Sequence, residues 1–288
     1  MGDLIPLFPL GTPLFPGIVL PLQVFEPRYR ALVRDLLALP QGRQRRFGVV
    51  AIRQGWEVER VAPAEALFDV GCTAQLQAVR PQPDGTFGVV TVGADRFRLL
   101  DVVLGDRGGE DPPYLRAEVE WLAEEEAAEE AAGDQEEVLG VPPGATAGLD
   151  EGLVAEVARG SLALLERGVG GLFTRYVTAV AGLQAGLASD EVGEAAELAA
   201  GLADAGEDPV GAAALLQAVA GDPRALSYLV ASAALLTTDD RQALLAESAT
   251  RRRLATESRM LRRELTLLET VGAVPASLQQ FAGPLSLN

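Results

Sequence analysis

Proline recurs at positions 6, 9, 13, 16 and 21 of a segment otherwise built from strand-forming apolar residues, "PLFPLGTPLFPGIVLPLQVFEPRYRALV", Pro6 to Val33. A proline gives a sheet no N–H and fixes its own φ, so within sheets it belongs at edges, strand starts and bends. These prolines cut the segment into pieces of two to four residues. One long central strand is thereby excluded. The pattern predicts a strand that bends around a small closed sheet, with Gly11 and Gly17 at its corners.

The rest of the front part is also β-rich. Short apolar runs fall at 4–10, 18–25, 47–53, 73–79, 87–92, 97–104 and 115–122, punctuated by Pro and Gly. In "YLRAEVEWL", Leu115, Ala117, Val119 and Trp121 share one face of a strand, and Arg116, Glu118 and Glu120 the other. Asp84-Gly85 is a tight-turn pair between two such runs and predicts a hairpin. Gly93 is read as the end of one run. One helix interrupts the strands: Pro27 suits its first turn, Tyr29, Leu32, Val33, Leu36 and Leu37 recur at helical spacing, and Pro40 and Gly42 end it. A helical turn is expected at 63–67.

Residues 123–152 change character. They carry ten acidic side chains, no Arg and no aromatic residue. The stretch reads as a solvated linker or insertion. Beyond it the chain reads as helical, over 153–167, 172–187, 191–205, 210–220, 225–236, 239–271 and 276–281. Asp208-Pro209 and Asp222-Pro223 each place an acidic cap before a first-turn proline. Thr238-Asp239-Asp240 opens what is read as the longest helix, with Leu244, Leu254, Leu261, Leu265 and Leu268 along a broken heptad seam. The expected fold is therefore α+β: a β domain over 1–122 with one inserted helix, the acidic segment 123–152, and a helical domain over 153–288 that ends in a long helix.

Two absences narrow the chemistry. The 288 residues include no histidine, and every base is Arg. Catalytic systems that need an imidazole or an ammonium group are thereby excluded, as is a P-loop. One cysteine, Cys72, rules out an internal disulfide and, without histidine, a Cys/His zinc site. No cofactor is expected. A carboxylate-based enzyme stays open as an alternative. No apolar run is long enough to span a membrane, and no signal peptide is evident, so a cytoplasmic location is expected. Net charge is −17, with −2 in residues 1–121 and −15 in residues 122–288. Such a surface repels phosphate backbones and disfavours nucleic acid.

The segment "LFPLGTPLFPGIVLPLQVFEPRYRALV" resembles the opening of the N-terminal substrate-binding domain of Lon proteases. The resemblance continues through "FGVVAI", "DVGCTAQLQAV", "DGTFGVVTVGADRFRLLDV" and "PYLRAEVEWL". It resumes in "DRQALLAESATRRRL" and "LRREL". It covers about residues 4–122 and 208–272. It implies a PUA-like β-barrel followed by a helical bundle, in a stand-alone bacterial form without the ATPase and Ser-Lys peptidase modules. It further implies a module that binds polypeptide segments or a protein partner. The PUA-like likeness keeps RNA binding as a second alternative, which the charge opposes.

Individual features have a functional and a plain structural reading. In "FEPRYR", Glu26, Arg28 and Tyr29 are a candidate peptide-recognition edge, or a local pair and a packed ring that fix a corner. Phe15 and Pro16, in "GTPLFPG", are a candidate apolar grip for a peptide, or core at a seam. Arg251, Arg252, Arg259, Arg262 and Arg263 are a candidate docking patch, or a solvated helix face whose bases pair with nearby carboxylates; Arg253 lies in the same run. Cys72 reads as a buried structural thiol. Glu124, Glu125, Glu126, Glu129 and Glu130 read as solvated, without the loop spacing of a calcium site.

Overall fold

The computed structural model describes residues 2–40, 44–53, 65–104, 112–124, 151–190 and 209–271. The chain is α+β, with one mixed six-stranded sheet and six helices among the described residues. The strands are β1 (Asp3–Leu10), β2 (Val19–Val24), β3 (Arg46–Ala51), β4 (Val70–Pro81), β5 (Phe87–Val103) and β6 (Arg116–Leu122). The helices are α1 (Pro27–Ala38), α2 (Glu151–Asp190), α3 (Pro209–Ala218), α4 (Pro223–Ala233), α5 (Thr238–Ala246) and α6 (Thr250–Val271). Two compact units result: Met1–Glu124 with Thr238–Ser248, and Glu125–Thr237 with Ala249–Asn288. Helix α5 thus belongs with the strands, not with a helical domain running unbroken from 153.

In the first unit the strand order is β2-β5-β4-β3-β1-β6, and β5 pairs with β6 as well. Starting from β5, the pairing passes through β4, β3, β1 and β6 and returns to β5. Strand β1 lies between β3 and β6, so the proline-rich segment does hold a strand flanked on both sides. Backbone alternation explains why this is tolerated. The Leu7 N–H donates to the Leu115 carbonyl at 2.8 Å. The nitrogen of Pro9 faces the same side, beyond Pro6, where the register with β6 ends. The nitrogen of Pro6 faces the other side, ahead of Leu7, where the register with β3 begins. Each missing donor falls where no strand lies alongside.

Pro13 and Pro16 lie in the loop that separates β1 from β2. Gly17 has a φ of 76°, and the Ile18 N–H closes the turn on the Phe15 carbonyl at 3.2 Å, so Pro16 and Gly17 take the two central places of a tight turn. The loop presses onto β5. A Cβ on Gly93 would lie 2.0 Å from the Phe15 oxygen. Gly93 therefore does not end a strand, as the sequence led us to expect; β5 runs through it for 17 residues, and the glycine admits the Phe15–Gly17 backbone.

Helix α1 buries Tyr29, Leu32, Val33 and Leu36, while Leu37 turns outward at 37% exposure. Ile5, Leu7, Val50, Phe97, Ala117 and Val119 pack inside the sheet. The Asp84-Gly85 hairpin joins β4 to β5, with Gly85 at a φ of 80°.

The helix expected over 239–271 is broken at 247–249, and α2, at 40 residues, is the longest. The break has a cause distant in sequence. Arg96 on β5 is 2% exposed, and its guanidinium donates to the Leu245 and Glu247 carbonyls at 2.8 and 3.1 Å and to Ser248 Oγ at 3.1 Å. The two carbonyls are acceptors that a continuing helix would use for its own next turn. Gln242 adds a bond of 2.8 Å to the Val70 carbonyl, and Arg241 one of 3.1 Å to Thr12.

In the second unit α2 runs straight through Gly168, Gly170 and Gly171, where two helices were expected. Val169, Phe173, Tyr176, Val177 and Val180 form a buried stripe against Leu226, Val230, Leu254, Leu261 and Leu265, and that packing outweighs the glycine penalty. Asp222 caps α4 by accepting from the Ala225 N–H at 2.9 Å. The expected elements at 191–205 and 276–281, the linker core 125–150 and the start of the 63–67 turn lie outside the described residues. No helix among those described is long and apolar enough to cross a membrane.

Candidate functional site

The first unit carries an open groove of about 300 Å³. Residues 8–11 at the end of β1, residues 22–26 at the end of β2, Arg28 and Tyr29 of α1, and Ile52 line it. Its floor follows from the packing of β1 against α1. The Tyr29 ring stacks on Phe8 with centroids 4.1 Å apart, and Phe8 meets Phe47 at 5.6 Å. The Arg28 guanidinium lies 4.7 Å from the Tyr29 centroid, and Arg28 Nε donates to Glu26 Oε2 at 2.8 Å. Glu26 thus holds the guanidinium against the ring, and its side chain does not cap α1. Burial pushes the Tyr29 hydroxyl above its usual range.

Of the five front candidates, Glu26, Arg28 and Tyr29 come together in this groove. Phe15 is 1% exposed and packs in the core; Pro16 is half-buried beside it. The grip imagined for "GTPLFPG" fails sterically, because the turn that presents Phe15 folds inward over Gly93. Phe25 is the residue the sequence reading passed over. It is 67% exposed at the groove rim, between the buried Val24 and the half-exposed Glu26. Its signal was the alternation of β2: Val19, Pro21 and Gln23 are exposed, and Phe25 is the next residue on that odd-numbered face.

The arginine run of α6 is divided by the helix. Arg259, Arg262 and Arg263 are exposed, while Arg251 and Arg252 are half-buried. Arg251 Nε reaches Ser161 Oγ at 3.3 Å, Arg259 reaches Thr256 at 3.0 Å, and Arg263 pairs with Glu264 at 2.8 Å. Arg253 is fully buried: its Nε donates to Ser227 Oγ at 2.7 Å, and its guanidinium lies 4.1 Å from the Tyr228 centroid. One turn on, Glu257 is 1% exposed, and neither carboxyl oxygen accepts a hydrogen bond from the described residues. Burial drives its carboxyl well above the usual carboxylate range, against the pull of Arg253. Cys72 is buried, and desolvation lifts its thiol to about 12. No group of three or more potential metal ligands occurs among the described residues.

A family model described as the ATP-dependent protease La (LON) substrate-binding domain matches residues 4–263. The chain belongs to the Lon substrate-binding domain family. Lon protease 1 of Herpetosiphon aurantiacus is 24% identical over 280 residues, which is 96% of this chain and 26% of that protein. Lon protease 2 of Sorangium cellulosum is 32% identical over 124 residues, 43% of this chain and 14% of that protein. The chain therefore spans only a fraction of the length of these Lon relatives. Among solved structures, the Lon N-terminal domain protein from Xanthomonas campestris is similar over 90% of this chain and 98% of its own, with 21% identity and a TM-score of 0.47.

Proposed function

We propose that this Lon-family chain is a non-catalytic recognition module that captures segments of polypeptide in the groove between β1, β2 and α1. The observation that carries this reading is the groove rim: Phe25, 67% exposed, stands over an apolar trough whose charged lining residues, Glu26 and Arg28, neutralise each other at 2.8 Å. A large exposed ring beside an apolar concavity is the kind of anchor on which protein recognition concentrates. The family's substrate-binding description agrees with it. The non-catalytic part rests on composition, because neither imidazole nor ammonium side chains are present to move protons at neutral pH.

Phe25→Ser tests the proposal. Phe25 is exposed, so the substitution spares the core. Affinity for a fluorescein-labelled, permanently unfolded protein is expected to fall at least about tenfold, as for a residue that contributes a binding hot spot. Undiminished binding by the variant would remove the groove from consideration.

A further inference from the structure

Among the described residues, strand β2 is an edge of the sheet, with β5 as its one strand neighbour. Its register with β5 pairs Leu20 with Thr91, Leu22 with Val89 and Val24 with Phe87. Pro21 has no N–H, so the residues that exchange hydrogen bonds with β5 are the even-numbered ones. The Gly93 N–H, donating to the Ile18 carbonyl at 2.9 Å, fits the same phase. The polar backbone groups of Val19, Pro21 and Gln23 therefore point away from the sheet. They comprise two N–H donors and three carbonyls. No backbone hydrogen bond reaches them from the described residues. Val19, Pro21 and Gln23 are all exposed, and Gln23 also lines the groove beneath Phe25.

Resting on the polypeptide-capture reading, we infer that the captured segment binds as an added strand along the outer edge of β2. Its backbone pairs with Val19 and Gln23, and alternate side chains drop into the groove. An extended backbone is the occupant whose chemistry matches this edge, since it alone offers donors and acceptors at the spacing of β2's own. Charge narrows the occupant further. The groove is neutral because Arg28 and Glu26 pair with each other, so it complements an uncharged segment. Pro21 interrupts the row of donors but not of acceptors, so the added strand is held by donor and acceptor at Val19 and Gln23 and by the carbonyl alone at Pro21. That limits the edge to short segments and keeps it from templating long sheets.

The test separates backbone from side-chain recognition. The probe is a fluorescein-labelled decapeptide of alternating Leu and Ser, titrated with the full chain by anisotropy. Gln23→Pro removes one outward N–H and is expected to weaken binding about tenfold. Gln23→Ala removes the same side chain but keeps that N–H, so the Pro variant is expected to bind at least about fivefold more weakly than the Ala variant. A second arm leaves the protein unchanged and compares two decapeptides, N-methylated at the odd or at the even amides. Strand addition predicts that one isomer loses binding and the other keeps it. If the parent peptide binds but both isomers bind alike, or if Gln23→Pro and Gln23→Ala bind alike, strand addition is overturned and capture in the groove stands. If the unmodified peptide does not bind the unchanged chain, the capture reading falls, and strand addition with it.

Discussion

Replacing Arg96 by Met keeps the length of the side chain and removes its charge and donors. The guanidinium contacts the Leu245, Glu247 and Ala123 carbonyls at 2.8, 3.1 and 3.2 Å and Ser248 Oγ at 3.1 Å, and its Nε lies 2.8 Å from Glu124 Oε1. The Arg96 side chain is 1% exposed and that of Glu124 21%. Removing one partner of a buried ion pair costs about 3–5 kcal/mol. Glu124 keeps some access to water, which argues for the lower end, about 3 kcal/mol. Gln242 still holds α5 to β4 and Leu244 and Leu245 remain buried, so the helix stays docked and the loss falls on the stability of the whole first unit. Trp121 on β6 belongs to that unit, and the sequence of the second unit contains no tryptophan, so urea unfolding followed by tryptophan fluorescence reports on the first unit. With a urea slope of about 2 kcal/mol/M, the midpoint is expected to fall by about 1.5 M at unchanged slope. A shift below about 0.3 M would show that the carbonyls of 245 and 247 do not depend on Arg96, and the explanation of the break between α5 and α6 would go with it.

Two further outcomes follow from burial. The Glu257 carboxyl titrates above its ordinary value in the folded chain, so its contribution is fully present below the ordinary carboxylate value and is lost as the pH rises through the raised one. Glu257→Gln is expected to stabilise the second unit above that window and to flatten this part of the pH dependence, measured by helical circular dichroism on heating; an unaltered slope would refute it. Gly93→Ala places a methyl 2.0 Å from the Phe15 oxygen, and it is expected to cost about 3 kcal/mol or more in the same tryptophan-monitored urea series, where an unchanged midpoint would contradict the close approach.

Local pattern carried the sequence reading where local physics decides. The α1 face, the Asp222 cap, the Asp84-Gly85 hairpin and the alternation of 115–122 depend on neighbours a few residues away, and each is present as read apart from Leu37 of α1, which turns outward. Pattern failed where a distant group intervenes. Nothing within 239–271 announces the break at 247–249, because its cause lies on β5, some 150 residues earlier. Nothing in "GVGG" says that α2 continues, because the buried stripe that holds it is completed by other helices. The prolines of β1 were legible as a constraint but not as a solution, since that solution is a hand-over from β6 to β3. At the groove, "FEPRYR" pointed to the right corner, but the rule that large apolar residues go inside hid Phe25.

The first unit is interrupted in the chain: after Glu124, 113 residues pass before Thr238 brings its last helix. A ribosome adding about 5–20 residues per second needs roughly 6–23 s for that interval. Throughout it, the nascent β sheet carries the Arg96 cation without the Leu245 and Glu247 carbonyls that will receive it. Completion of this unit thus waits until translation has passed residue 248. Premature stops upstream of residue 238 should yield chains prone to chaperone capture and degradation, even though every strand has already been made.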